Sequence, residues 1–259
     1  MNIEIEVRLD YSLDGPSDIL LQLEAAPLPD QVIERAHIEV PGTGHFARIP
    51  GEEGIGERIW VRRDERLQVD YRARVAIDRR VFDCTDVPQT PVHLLPGETV
   101  KYLMGSRYCP ANQFQSFVDA EFGDLSGGAR IMAMRDWIED RFAYTPGAST
   151  ADTTALDTFV QRRGICRDYA HVLVTLARAS AIPARVASVY AIGVEPQDFH
   201  AVAEVFLHGD WHLVDPTGMA PVKGIARIGV GRDAADISFM TIYGRANLQT
   251  QTVNAQQID

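Results

Sequence analysis

Cys166 is the residue of this sequence best placed to act as a nucleophile. Gly164 interrupts the preceding segment, and after Cys166 apolar residues recur at helical spacing until Pro183 stops the helix. A helix N-terminus carries partial positive charge and unpaired amides, which stabilise a thiolate and can receive the oxyanion formed when a thiolate attacks a carbonyl. The pattern indicates thiol chemistry at Cys166, with a buried, inert cysteine as the alternative; Cys84 and Cys109 have no such setting and fit that alternative.

A nucleophilic cysteine needs a base, and His200 suits that role better than His171. His171 lies five residues after Cys166 on the same predicted helix, roughly 140° around its axis, so the two side chains point apart. We therefore predict that His171 is packed or hydrogen-bonded in the core. His200 lies in a predicted strand, residues 199–207, whose other face carries small residues such as Ala203, which indicates a helix packed closely behind it.

The third member of the predicted site is Asp215. Residues 208–210 form a turn signal, and the strand 211–214 returns from it, so with an even-length loop Asp215 falls on the same sheet face as His200. A carboxylate there can accept the second imidazole proton and stabilise the charged ring. Because Pro216 follows, the alternative is that Asp215 only starts a turn.

Three more residues are candidates for substrate or oxyanion contacts. Arg167 and Asp168 occupy the first turn after Cys166, where Asp168 could equally serve only to complement the charge of the helix end. Tyr144 could form a wall of the cleft or help to bind the oxyanion, with ordinary packing as the alternative.

The first hundred residues have the pattern of an antiparallel β-sandwich. Residues 2–9 alternate apolar and polar side chains with the period of a half-buried strand, and about seven short strands are expected. The proline-rich stretch 86–97 reads as a connector. We therefore predict a sandwich domain at residues 1–97, a second domain at 98–248 and a loosely held polar tail at 249–259.

The second domain begins with helices and ends with strands. Helical periodicity predicts helices over residues 113–122, 128–142 and 153–163, the last capped by Asp152 or Thr153, before the helix that begins near Cys166. The later strands are predicted at 186–192, 199–207 and 211–214. The expected fold class is α+β, with helices packed on an antiparallel sheet.

Composition excludes several classes of partner and site. The formal charge of −11, from 36 acidic and 25 basic residues, disfavours nucleic acid and anionic membrane surfaces. No stretch reaches the roughly 18 to 20 apolar residues of a membrane span, and the start of the chain lacks a signal-peptide pattern, so we expect a cytoplasmic protein. Three dispersed cysteines make a disulfide framework or zinc site improbable, and no cofactor is expected.

Several ordered motifs carry a family resemblance: GICRDYAH at 164–171, AIPARV at 181–186, DFHA at 198–201 and WHLVDPT at 211–217. Together they resemble the transglutaminase-like superfamily, in particular the bacterial branch described as cysteine proteases. The resemblance covers about residues 100 to 245. It implies a papain-like domain, and the N-terminal sandwich resembles the β-domain that often precedes it.

The resemblance implies acyl transfer through a thioester on Cys166, with His200 protonating the departing amine and Asp215 orienting His200. Animal crosslinking members have tryptophan directly after the nucleophile, where this chain has Arg167, and they carry calcium sites without a counterpart here. Hydrolysis of a peptide or protein amide is therefore favoured over crosslinking. Two alternatives remain open: a catalytically silent binding or scaffold module, and metal-assisted hydrolysis with Cys166 and histidines as ligands.

Overall fold

A β-sandwich and a helix-backed antiparallel sheet make up the computed structural model, which describes residues 1–80 and 83–258. The strands are β1 (Asn2–Leu13), β2 (Ser17–Leu21), β3 (Gln31–Glu39), β4 (Phe46–Pro50), β5 (Glu57–Arg63), β6 (Arg66–Ile77), β7 (Ala143–Tyr144), β8 (Arg163–Gly164), β9 (Ala184–Ala191), β10 (His200–Leu207), β11 (Asp210–Val214), β12 (Ile225–Gly231), β13 (Met240–Tyr243) and β14 (Ala246–Ile258). The helices are α1 (Gln115–Phe122), α2 (Gly127–Arg141), α3 (Ala155–Gln161), α4 (Cys166–Ala179) and α5 (Ala234–Ile237). The predicted α+β fold class is confirmed.

The sandwich consists of two four-stranded sheets, ordered β14-β1-β6-β3 and β13-β2-β5-β4. Alternate residues of β1, including Ile3, Ile5 and Val7, are fully buried in the core between the sheets, as the period-2 pattern predicts. Burying one face of each sheet is what makes such short strands stable, because an isolated pair would leave its apolar side in water.

The prediction that residues 249–259 form a loosely held polar tail is wrong. Residues 246–258 form β14, which pairs antiparallel with β1 from Ala246 opposite Leu13 to Ile258 opposite Asn2. Polar residues fill its solvent face, while Val253 and Ala255 are buried in the sandwich core. The free edge of β1 needs a partner strand for its backbone amides and carbonyls, and β14 supplies it. The sandwich is thus built from both ends of the chain, and Asp259 lies outside the described residues.

The second sheet has the order β11-β10-β9-β12, and helix α4 packs on one face of it. Ala201 and Ala203 of β10 lie in the core formed with α4, which confirms the interpretation of the small residues as a close helix contact. Strand β12 follows the predicted strands and lies beside β9. Helix α3 is capped by Thr154, the residue that follows the predicted caps Asp152 and Thr153. Asp157, at the third helical position, accepts a hydrogen bond from the Thr154 N–H (2.9 Å) and completes a capping box.

The sandwich and the second sheet are joined by apolar and ionic contacts. The Tyr190 hydroxyl on β9 donates to the Leu23 carbonyl (2.5 Å), and its ring stacks with that of Tyr71 in the sandwich core. Glu204, fully buried on β10, accepts from Arg185 (2.6 Å) and Arg227 (2.8 Å) of the same sheet, and these two arginines also donate to Glu53 and Asp30 on the sandwich side. These contacts hold the strand that begins with His200 against the sandwich.

Among the described residues, no helix combines the length and apolarity that a membrane crossing requires.

Candidate active site

Cys166 is the first residue of α4, and the chain just before it is held extended by a buried carboxylate. Ile165 has extended dihedral angles, and its N–H donates to Asp168 Oδ2 (2.9 Å). This bond satisfies the Ile165 amide, and the Asp168 amide donates to the Ile165 carbonyl (2.9 Å), so the first-turn amides without an intrahelical partner are those of Cys166 and Arg167. Cys166 is 8% exposed, so its thiol lies at a narrow opening.

The suggestion that Asp168 contacts substrate is wrong. Asp168 has no exposed surface, and its second oxygen accepts from Arg167 Nε (3.1 Å) and Nη2 (2.8 Å). It therefore acts as a capping residue and balances the positive charge at the helix end. Arg167 also donates from Nη2 to the Thr150 carbonyl (2.9 Å), which ties the loop after β7 to the start of α4.

Gly164 is required by the close approach of Asp168. A Cβ atom at Gly164 would lie 2.8 Å from both Cβ and Oδ2 of Asp168, closer than real contacts allow. We expect Gly164→Ala to lower the free energy of unfolding by about 1 to 3 kcal/mol, because the capping carboxylate must move. Chemical denaturation measures this. Gly15→Ala is the control, because a Cβ at Gly15 meets no atom within 4 Å. An equal loss of unfolding free energy in both variants would contradict the explanation.

His200 and Asp215 are brought together by a two-residue turn. His208 and Gly209 have φ of 50° and 92°, the left-handed pair that matches the twist of a tight hairpin, and Leu207 pairs with Asp210. Counting along this register puts Asp215 just past the end of β11, on the face of β10 that carries His200. The His200 Nε2 to Asp215 Oδ2 distance is 3.1 Å, which confirms the predicted pairing of these two side chains.

Asp215 is held ionised by the loop that follows it. Its Oδ1 accepts from the Thr217 amide (2.9 Å) and hydroxyl (2.7 Å), and its Oδ2 accepts from the Ala220 amide (2.8 Å) in addition to His200. Burial favours the neutral acid, but these hydrogen bonds and the charge of His200 outweigh it and lower the pKa of Asp215. Asp215 thus starts a turn and also orients a histidine, and the sequence reasoning missed its contacts with Thr217 and Ala220.

His200 is arranged to carry a proton. Burial would lower the pKa of His200, but the hydrogen bond to Asp215 and the nearby sulfur of Cys166 raise it to about 10. Because an ionised carboxylate can only accept, Nε2 is the nitrogen that donates to Asp215. The other nitrogen, Nδ1, is buried and has no hydrogen-bond partner within residues 1–80 and 83–258. The imidazole therefore has Asp215 and Cys166 as its charged and nucleophilic neighbours.

Tyr144 reaches Cys166 through a short parallel strand pair. Strand β7 pairs with β8 so that Tyr144 lies opposite Gly164, and the Thr145 amide donates to the Gly164 carbonyl (2.8 Å). The Tyr144 hydroxyl lies close to both the backbone amide and the thiol of Cys166; burial and the sulfur raise its pKa, so it remains a proton donor at neutral pH. Of the three additional candidates, Tyr144 is the one placed at the sulfur.

The remaining histidine and cysteine candidates lie elsewhere. His171 is fully buried, accepts from the Ala234 amide (3.0 Å) and stacks on Tyr108, and burial lowers its pKa to about 4. This confirms that it is a packed core histidine. Burial raises the pKa of Cys109 to about 12, and it also raises that of half-buried Cys84. In the part of the chain that the structure describes, no group of three His, Cys, Asp or Glu side chains is spaced to hold a metal ion.

A cavity of about 680 Å³ lies behind Asp215 and not in front of the thiol. Its walls include β11, the loop of residues 218–222 and Arg135 of α2. Arg135 Nε donates to the Asp215 carbonyl (3.3 Å), which places this cavity behind the backbone of the site. Cys166, His200 and Tyr144 are not among the residues that line this cavity.

Comparisons with known proteins identify similar sequences and folds. Residues 118–216 match the profile of the transglutaminase-like superfamily. The structure superposes on that of a "putative cysteine protease" from Cytophaga hutchinsonii with a TM-score of 0.93 and 29% identity, covering 100% of this chain and 91% of that one. An uncharacterised protein of Mycobacterium leprae is 30% identical over 118 residues, so the match spans 42% of either chain. The periplasmic domain of TgpA from Pseudomonas aeruginosa is 21% identical, with a TM-score of 0.43 over 82% of this chain and 76% of that domain.

Proposed function

We propose that this chain, which contains a transglutaminase-like core domain at residues 118–216, is a thiol-dependent hydrolase or acyltransferase that acts on peptide-like amide bonds. The observation that carries the proposal is the alignment of Cys166 at a helix N-terminus with a buried His200 that is hydrogen-bonded to Asp215. A thiol, an imidazole with a raised pKa and an ionised carboxylate in that order are the groups that nucleophilic acyl transfer needs.

In the first step, the thiolate of Cys166 attacks the amide carbonyl and forms a C–S bond, while the carbonyl electron pair moves to oxygen. First-turn amides of α4 stabilise the resulting oxyanion. When the oxyanion collapses, the C–N bond breaks and His200 donates its proton to the departing amine, which leaves a thioester on Cys166. Water then attacks the thioester with His200 as base, the carboxylic acid is released, and the imidazolium and thiolate are restored. Asp215 holds the ring in place and stabilises its charge throughout.

Hydrolysis is supported over crosslinking by two observations. Arg167 is bonded to Asp168 and Thr150, so no aromatic side chain directly follows the nucleophile to shield a thioester from water. The Cytophaga hutchinsonii structure, which matches along nearly the whole of both chains, is named a putative cysteine protease. The cytoplasmic location and the exclusion of nucleic-acid and membrane partners stay predictions from the composition.

Tyr144 is proposed as the second oxyanion donor because its hydroxyl lies beside the Cys166 amide. We expect Tyr144→Phe to lower kcat about 10- to 100-fold with little change in KM, since the bond strengthens as charge develops on oxygen. Steady-state kinetics on an identified substrate measures this. Tyr169→Phe is the matched control, because its ring lies 5.9 Å from that of Tyr144. An unchanged kcat in Tyr144→Phe would show that Tyr144 only packs.

Trapping an acyl-enzyme tests the proposed function most directly. The full-length chain is incubated with a peptide library, quenched in acid to preserve thioesters, and analysed by mass spectrometry. We expect an acyl group on Cys166 and none on Cys84, and its mass identifies the acyl donor. The rate of alkylation by iodoacetamide is a second test. If Cys166 reacts at neutral pH no faster than a free cysteine, the thiol is not activated and the proposal fails.

A further inference from the structure

We propose that Asp198 makes the mouth of the Cys166 site selective for a positively charged group, the Lys or Arg side chain of a peptide bound with its scissile amide at the sulfur. The inference rests on the proposed function, because it concerns the substrate of the same thiol. It specifies the substrate class, which the arrangement of Cys166, His200 and Asp215 leaves open.

The position of Asp198 is fixed by contacts with the sandwich. Its Oδ1 accepts from the Phe199 amide and from Gln251 Nε2 of β14, both at 2.8 Å, and Gln251 Oε1 in turn accepts from the Tyr11 hydroxyl (3.2 Å). The next ring, Phe199, stacks on Phe239 with the ring centres 4.3 Å apart. Asp198 precedes His200 by two residues, so the Cα atoms of the two residues lie at most about 7 Å apart.

Asp198 is a negative charge without a protein counter-ion. It is exposed, and among residues 1–80 and 83–258 no Lys, Arg or His nitrogen forms an ion pair with it. Its known hydrogen bonds use Oδ1, which leaves Oδ2 for a ligand. The cation beside the nucleophile, Arg167, is balanced by Asp168 (2.8 Å). Asp198 therefore adds an exposed negative charge near His200 that no nearby described cation balances.

The influence of Asp198 reaches the reacting group. Burial raises the pKa of Tyr144 and of Tyr11, and the negative charge of Asp198 raises both further, so Asp198 lies near each phenol. The Tyr144 phenol therefore has both Cys166 and Asp198 as neighbours. A carboxylate held beside phenol rings attracts an ammonium or guanidinium group by charge and through the ring faces.

A pair of charged thiol reagents tests this without knowledge of the substrate. The cationic aminoethyl and the anionic sulfonatoethyl methanethiosulfonates are reacted with the full-length chain at low ionic strength, and the rate at Cys166 is followed by peptide mass spectrometry. We expect the cationic reagent to react faster. In Asp198→Asn, which can still accept the Gln251 and Phe199 bonds, the ratio of the two rates should fall about sevenfold, since a unit charge about 7 Å away changes the energy of each approaching ion by about the thermal energy, with opposite sign for the two reagents. Added salt should reduce the difference.

Glu195→Gln is the matched control, because it removes the same charge from an exposed position on the same loop. A ratio that stays unchanged in Asp198→Asn, or falls equally in Glu195→Gln, overturns the inference. Failure of the proposed function is distinguishable, since it appears as slow labelling of Cys166 by neutral iodoacetamide whatever the ratio. Once an acyl donor is known, kcat/KM can be measured for a lysine-containing peptide and for its norleucine analogue. The ratio of these two values should be lower in Asp198→Asn than in the wild type. An equal ratio in the two proteins would also overturn the inference.

Discussion

Cys166→Ala is expected to abolish acyl-enzyme formation and to lower kcat/KM at least about 10⁴-fold, because no other group can form the thioester and removal of a nucleophile typically costs 10⁴ to 10⁶. The side chain is small and only 8% exposed, so alanine preserves packing and the fold. The measurements are acid-quench mass spectrometry and steady-state kinetics on the trapped substrate, with thermal denaturation to confirm that the variant is folded.

Cys84→Ala is the control for this variant. Cys84 is a half-buried thiol whose pKa is raised by burial, and it lies outside the site. The Cys84→Ala variant should therefore have the same turnover rate as the wild type. If Cys166→Ala retained full biological activity, the chain would be a binding or scaffold module with a transglutaminase-like core.

His200→Gln is expected to lower kcat/KM about 10²- to 10⁴-fold, because the leaving amine loses its proton donor and water loses its base. Glutamine can still donate to Asp215, so the loop at Thr217 keeps its carboxylate partner. In the wild type, kcat/KM should fall as pH rises through about 10, because His200 there loses the proton that it gives to the amine. In the variant this alkaline decrease should be missing.

The sign of that pH dependence follows from the raised pKa. A histidine whose folded pKa lies above the ordinary 6.5 is protonated below it, so the acid form needed for amine departure is present at neutral pH and is lost on the alkaline side. His93→Gln, at an exposed position, should change neither rate nor profile. If kcat/KM of the wild type instead fell as pH rose through about 6.5, the assigned environment of His200 would be contradicted.

Much of the site could be predicted because it depends on local geometry. The helix period separates His171 from Cys166, and the strand period with a two-residue turn puts Asp215 beside His200. These relations span few residues and are set by backbone repeat lengths, so no knowledge of distant neighbours is needed. The family motifs identify the same three residues.

Features that depend on distant partners were not predictable. The polar residues of the tail lack a strong apolar period, which predicts a loose segment, yet β1 provides an edge that needs pairing and β14 pairs with it. The sequence allows Asp168 either a substrate contact or a role at the helix end, and only packing against Gly164, which buries it, decides between them. Tyr144 reaches the sulfur only through the pairing of β7 with β8.

The sequence by itself determined the candidate groups of the site: a thiol at a helix start, an imidazole on a strand and a carboxylate after the next strand. Only the tertiary structure decided what surrounds them, including the Tyr144 hydroxyl at Cys166 and the contact between Asp198 and Gln251, which lie 53 residues apart. The physical reason is that local backbone periods fix which face a side chain takes, whereas contacts between distant segments depend on which strand edges and apolar faces remain to be covered.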